Sequence, residues 1–122
     1  MENQVDLAEA IRRIRAKDNR YDGNLYGFVL LALEYTCSSL GEYRHVSAKE
    51  LVEGMCGYAK EVYGLMAYTF LSRWGIHSTR DIGTVVFHLI DEGVLFKRDG
   101  ENVEDFDDIL DLQISLEDNY FN

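Results

Sequence analysis

The chain of 122 residues carries 47% hydrophobic and 12% aromatic side chains and a formal net charge of −10. That is one domain's worth of chain with apolar material for an ordinary core, which excludes intrinsic disorder, collagen-like repeats and a disulfide-stapled miniprotein. The longest apolar run, Phe28 to Leu33, is far too short to span a membrane, and no basic stretch precedes an apolar one near residue 1, so no secretory signal is expected.

Val5, Leu7, Ala8, Ile11 and Ile14 recur at three- and four-residue steps opposite Arg12, Arg13 and Lys17. This predicts an amphipathic helix over 3–17, within an N-terminal segment 1–20. Asp18-Asn19 and Asp22-Gly23-Asn24 mark a turn. From Leu25 to Leu40 the sequence is apolar almost all round, interrupted in charge only by Glu34, which predicts a central helix stopped at Gly41. Ser47 with Glu50 three residues on, and Val46 ahead of Leu51, spell a capping box and a hydrophobic staple. The helix they open keeps one face through Leu51, Val52, Met55, Cys56, Ala59 and Val62, and Gly64 permits a break before Leu65 to Trp74 continues. Gly75 is expected in the left-handed conformation that ends a helix.

Ser78 and Asp81 form another start signal, with Ile82, Val85, Val86, Leu89 and Ile90 as the buried stripe and Gly93 as the stop. Beyond it, Asp99-Gly100 sits between two short runs, Val94 to Arg98 and Glu101 to Asp105. Asp-Gly in that position predicts a β-hairpin over 94–105. The acidic segment 106–122 fits either a short helix or a third strand. The whole is therefore expected to be a single, mainly α domain over 1–122, with about five helices around the central one and a short C-terminal hairpin. A helix followed by a hairpin is also how winged-helix domains end.

Charge is uneven. Residues 91–122 hold eleven acids and two bases, whereas residues 1–90 are close to neutral. One reading is a solvated surface that keeps the protein soluble; the other is an acidic face made for a basic partner. Interleaving with Val103, Phe106, Ile109, Leu112 and Leu116 describes an amphipathic segment rather than a disordered tail. On either reading this face disfavours a nucleic-acid backbone.

The stretch from Trp74-Gly75-Ile76 through Thr79, Asp81, Gly83, Val86-Phe87 and Leu89 to Gly93 resembles a W-G-I-x-x-T-x-D-x-G-x-x-V-F-x-L-x-x-x-G signature. That signature belongs to a small family of bacterial proteins, of planctomycete and verrucomicrobial type, with no assigned activity. Tyr26, Phe28-Val29, Ala32-Leu33, Tyr35-Thr36, His45-Val46-Ser47, Glu50-Leu51, Ala67 and Asp105-Phe106 extend the resemblance over roughly residues 20–112. The resemblance implies no cofactor and no catalytic residue.

The three histidines, His45, His77 and His88, stand at no helical ligand spacing, and Cys37 and Cys56 form no C-x-x-C pair. No metal site and no cofactor are expected. Both cysteines fall on apolar faces, where a thiol is inert packing in a reducing compartment, so a cytoplasmic location is expected. Nucleotide cradles of the G-x-x-x-x-G-K-[ST] or G-x-G-x-x-G type are absent, and no catalytic residue is assigned. Eight tyrosines exceed what one core needs, and Tyr suits protein contacts. Tyr43, Arg44 and Tyr58 are the candidate contact residues. The expected function is a non-enzymatic protein-interaction or regulatory module, its partner a protein, basic on the charge argument, or a second copy of the chain. Two alternatives stand beside it. One is a small ligand-binding protein or enzyme with a site at Trp74, His77 and Asp81. The other is a winged-helix nucleic-acid binder, which needs a basic face built from the first helix, Arg44 and Arg73.

Overall fold

The computed structural model describes residues 6–42 and 44–117, and it is mainly helical. Its first helix, α1 (Leu7–Lys17), is capped by Asp6, whose carboxylate accepts from the Glu9 amide, and it buries Ala10 and Ile14. Residues 3–5 of the expected helix lie outside the described residues.

The central helix α2 (Gly23–Leu40) opens two residues earlier than the apolar run suggests, because the Asp22 carboxylate accepts from the Asn24 amide and caps it there. It buries Leu25, Tyr26, Phe28, Val29, Ala32, Thr36 and Cys37. One departure matters later: Leu31 is 52% exposed, so this helix is not enclosed on every side.

The Ser47–Glu50 capping box forms as its sequence suggests and starts α3 (Ala48–Tyr63). This helix packs along α2 more extensively than any other pair in the fold. Their closest approach is at Gly54, where a β-carbon would meet the side chain of Thr36. The break at Gly64 is real: a 3-10 turn over Gly64–Met66 separates α3 from α4 (Ala67–Arg73). Gly75 follows with φ 110°, and the Ile76 amide returns to the Leu71 carbonyl. A side chain there would also run into the Arg20 carbonyl and the Tyr21 ring, so glycine is required twice over.

Helix α5 (Thr79–Asp91) carries the expected Ser78–Asp81 capping box. Arg13 of α1 reaches its end, donating to Glu92 at 2.7 Å and lowering the pKa of that carboxylate. The last elements are a 3-10 turn over Val103–Phe106 and a short helix α6 (Leu112–Glu117). The segment left open between helix and strand therefore contains a helix, and residues 118–122 lie outside the described residues.

The expected hairpin over 94–105 is not formed, and no strand occurs among the described residues. Two local reasons account for this. The turn does close, with the Glu101 amide on the Arg98 carbonyl, but only Gly100 has positive φ and Asp99 does not. A type I′ turn requires both and a type II′ turn requires it at Asp99, whereas type I and II turns splay the flanking strands. Downstream, Asn102 and Asp105 form a capping box that turns the chain into a 3-10 helix where the second strand was expected. Without a hairpin there is no wing.

Candidate functional site

A groove of about 290 Å3 opens between α2, α3, α5 and the chain that follows α5. Each wall has a local cause. The second half of α2 turns Leu33 and Cys37 toward it, and the α3 start contributes Val46, Ala48 and Leu51. Helix α5 adds Val86, Phe87 and Ile90. After Gly93 the chain reverses, with the Val94 and Leu95 amides both bonded to the Leu89 carbonyl, and this carries Leu95 and Phe96 to the lip. Phe96 is 87% exposed. Phe106 lines the groove as well.

The rim is polar and tied. Arg44 donates to Glu42 at 2.9 Å, to Glu50 at 2.9 and 3.1 Å, and to the His45 carbonyl at 2.9 Å. The Arg44 guanidinium, helped by the Ser47 amide, brings the Glu50 carboxyl down to about 2. His45 Nε2 meets Glu101 across the opening, linking the loop before α3 to the turn after Arg98. Glu101 also accepts from the Arg98 amide at 2.7 Å.

Two shallower concavities continue the groove by sharing its walls. One, through Leu33, Cys37 and Arg44, adds Leu30, Leu31 and Glu34 of α2. The other, through His45, Ser47, Ala48, Glu101 and Asp105, adds Lys49, Arg98, Asp99 and Gly100. Together they make one furrow, apolar in the middle and charged at its ends.

Of the residues singled out from the sequence, Arg44 lies on this furrow and Tyr43 lies outside the described residues. Tyr58 and Trp74 meet elsewhere, through Phe28, whose ring centroid is 5.2 Å from that of Tyr58 and 5.6 Å from that of Trp74. Tyr63 and Phe70 complete that aromatic array. His77 is exposed, and its amide donates to Asp81 Oδ2 at 2.9 Å. The other Asp81 oxygen accepts from the Tyr21 hydroxyl at 2.6 Å, so both are engaged in holding the fold. None of Trp74, His77 and Asp81 lines the furrow.

Most of the Trp74–Gly93 stretch has a packing role. Thr79 is buried, and its hydroxyl donates to the Phe106 carbonyl and accepts from the Ile109 amide. Gly83 makes room for the Phe106 ring. Val86, Phe87 and Ile90 are its contribution to the groove.

Sequence reasoning did not find a second polar cluster. The Tyr26 hydroxyl lies 2.9 Å from His88 Nδ1, and His88 Nε2 lies 3.4 Å from Asp18 Oδ2. Asp18 is gripped by Arg20, chiefly through that side chain, and its carboxyl falls to about 2. Burial lowers the pKa of His88 below its ordinary value, against the opposing pull of Asp18, and raises that of Tyr26 to about 12. An Asp–His–Tyr chain resembles an acid–base relay, but Tyr26 is 0% exposed, so no substrate reaches its hydroxyl. The cluster clamps the α1–α2 turn to α5. No spacing announces it, since Tyr26 and His88 are 62 residues apart.

The clamp predicts a pH dependence. The unfolded chain protonates at His88 more readily than the folded one, so stability falls as pH drops through the ordinary histidine value of about 6.5. Urea midpoints should decline from pH 7 to pH 5, and His88→Gln should flatten that decline. The steeper loss below about pH 4, where Asp18 and Glu50 protonate in the unfolded chain, should remain. An unchanged slope between pH 7 and pH 5 in the variant would remove His88 from this account.

Among the described residues no group of three or more His, Cys, Asp or Glu is arranged to hold a metal ion. Cys37 and Cys56 are free and buried, and burial raises the pKa of the Cys56 thiol. No helix among the described residues is long and apolar enough to cross a membrane. Half of the lysines and arginines carry acidic partners among the described residues: Arg12 pairs with Glu9, Arg13 with Glu9 and Glu92, Lys17 with Glu92, Arg20 with Asp18, Arg44 with Glu42 and Glu50, and Arg80 with Asp107. No protein-family model, curated protein or solved structure matches the chain.

Proposed function

We propose that this chain is a non-enzymatic, cytoplasmic protein-interaction module that binds an apolar segment of its partner in the furrow between α2, α3 and α5. The observation that carries the reading is Phe96, 87% exposed at the lip of an apolar groove of about 290 Å3. A fully buried Phe gains about 2 kcal/mol over an exposed one, and here that gain is left for a partner to realise. Exposed apolar surface rimmed by polar groups is the common signature of an interaction site. The buried, free thiols fit the cytoplasm. The pairing of Arg12, Arg13, Arg20 and Arg44 with carboxylates argues against nucleic acid as the partner. Kinship with the bacterial family that the Trp74–Gly93 stretch resembles is part of this proposal and adds no activity to it.

The test uses 1-anilinonaphthalene-8-sulfonate as a probe of accessible apolar grooves. The wild-type chain should bind it with enhanced fluorescence, and Phe96→Ser should cut the enhancement several-fold while the helical circular dichroism stays the same. Full enhancement in Phe96→Ser would transfer the site to the other exposed apolar group, Leu65 and Met66. A second reading, a small apolar ligand in the groove, is favoured by its volume, close to the lower end for ligand pockets. Native mass spectrometry of the purified protein, showing one stoichiometric small molecule, would select it.

A further inference from the structure

Three features of the furrow say what it takes, and the argument rests on reading the furrow as a binding site. The first is its frame. All its walls are helices or irregular chain, and no strand occurs among the described residues to pair with an extended segment. Addition of a partner strand needs a free sheet edge, whereas an apolar trough between helices receives an amphipathic helix. The second is its length. Leu30 to Cys37 alone covers about 10 Å of α2, two turns of a facing helix, and anchors at i, i+3 or i+4, and i+7 match that reach.

The third is its charge. Glu34 stands at one end and Asp99 at the other, beside Glu101, which His45 and the Arg98 amide already hold, and Asp105, which accepts from the Asn102 amide. Arg44, the cation in the middle, is already answered by Glu42 and Glu50. Lys49 and Arg98 stand at the same end as Asp99, so the lining carries four acids against three bases, and most of the acidic excess comes from the rest of the chain. Around this the whole chain carries −10, which repels acidic partners and draws in basic ones.

We infer that the occupant of the furrow is a cationic amphipathic helix of a protein partner, its apolar face on Leu31, Leu33, Phe87, Ile90 and Phe96 and its lysines or arginines toward Glu34 and the acids of residues 99–105. Specificity against acidic helices comes from the field of the chain, and affinity comes from the apolar floor.

The test uses three fluorescein-labelled peptides of roughly 18 residues, about 27 Å as a helix. One has Leu and Lys at amphipathic helical spacing, one has Glu in place of Lys, and one has the Leu/Lys composition in an order with no apolar face. Fluorescence polarisation against the full chain should show the first binding at least about tenfold more tightly than either other. Leu31→Ser combined with Phe96→Ser should weaken it about tenfold; both positions are exposed, and Phe96→Ser alone decides if the pair unfolds. Equal binding of the Glu peptide would overturn the charge inference and leave the furrow standing as a site. Equal binding of the peptide without an apolar face, or binding untouched by Phe96→Ser, would mean adhesion to the acidic surface and overturn the inference. If no peptide binds while the naphthalene sulfonate probe still does, the helix inference fails alone. If neither binds, the furrow reading fails with it.

Discussion

Substituting Gly83 by alanine is expected to lift residues 103–109 off α5. A β-carbon at Gly83 would stand 2.6 to 2.8 Å from three atoms of the Phe106 side chain, including its own β-carbon, so rotating the ring gives no relief. Phe106 is buried at 6% exposure, and its carbonyl is held by the Thr79 hydroxyl one turn earlier on α5. Ring and backbone are therefore seated by the same helix face, and both seats are lost together. The loss should resemble truncation of a buried Phe, about 3 to 4 kcal/mol. It should be local: hydrogen exchange at the amides of 103–109 rises by orders of magnitude while amides of α2 and α3 stay protected. Because Phe106 lines the groove, the naphthalene sulfonate probe should also lose fluorescence. Unchanged exchange over 103–109 would mean that the segment is not anchored through Gly83.

Gly54→Ala is expected to lower the thermal midpoint by about 10 °C. Glycine within a helix is ordinarily improved by alanine, by about 1 kcal/mol. Here the new β-carbon would lie 1.8 Å from Thr36 Oγ1 and 2.8 Å from Thr36 Cβ. Turning Thr36 moves the hydroxyl, which also breaks its 2.7 Å bond to the Ala32 carbonyl, but leaves Cβ in place. The two helices of the most extensive interface must then separate. Overpacking of this kind costs about 3 kcal/mol, leaving a net loss of about 2, or about 10 °C for a domain of this size. Differential scanning calorimetry reads the outcome. Thr36→Ala in the Gly54→Ala background should recover only part of the loss, since the Cβ contact persists. A raised midpoint in Gly54→Ala would show that propensity wins and that α2 and α3 part easily.

The helices were legible because their signals are local. Ser47 with Glu50 and Ser78 with Asp81 form the capping boxes that their spacing announces, and Gly64 breaks the chain where it stands. The hairpin misled for the same kind of reason. Asp99-Gly100 is a turn signal, but Asn102 with Asp105 is a capping signal of equal range, and the second directed the chain after the turn. When two local signals compete, the chain's surroundings decide, and here Phe106 had a socket on α5 waiting for it.

The candidate site was largely illegible. Arg44 alone was named in advance, and for its chemistry rather than its place. Leu33, Phe87, Ile90 and Phe96 each read as ordinary helix-face or strand residues, and only their meeting makes a furrow. The same holds for Asp18, Tyr26 and His88, which no spacing connects. By itself the sequence determined the helices up to residue 93, most of their ends, the acidic balance and the lack of a local metal or nucleotide motif, because each depends on residues within a turn or two of one another. The tertiary structure alone decided which apolar residues stay uncovered, which acids are held by bonds within the fold, and where the chain runs after residue 93. Those depend on packing between residues distant in sequence, where the burial of a ring such as Phe106 outweighs any preference of its neighbours.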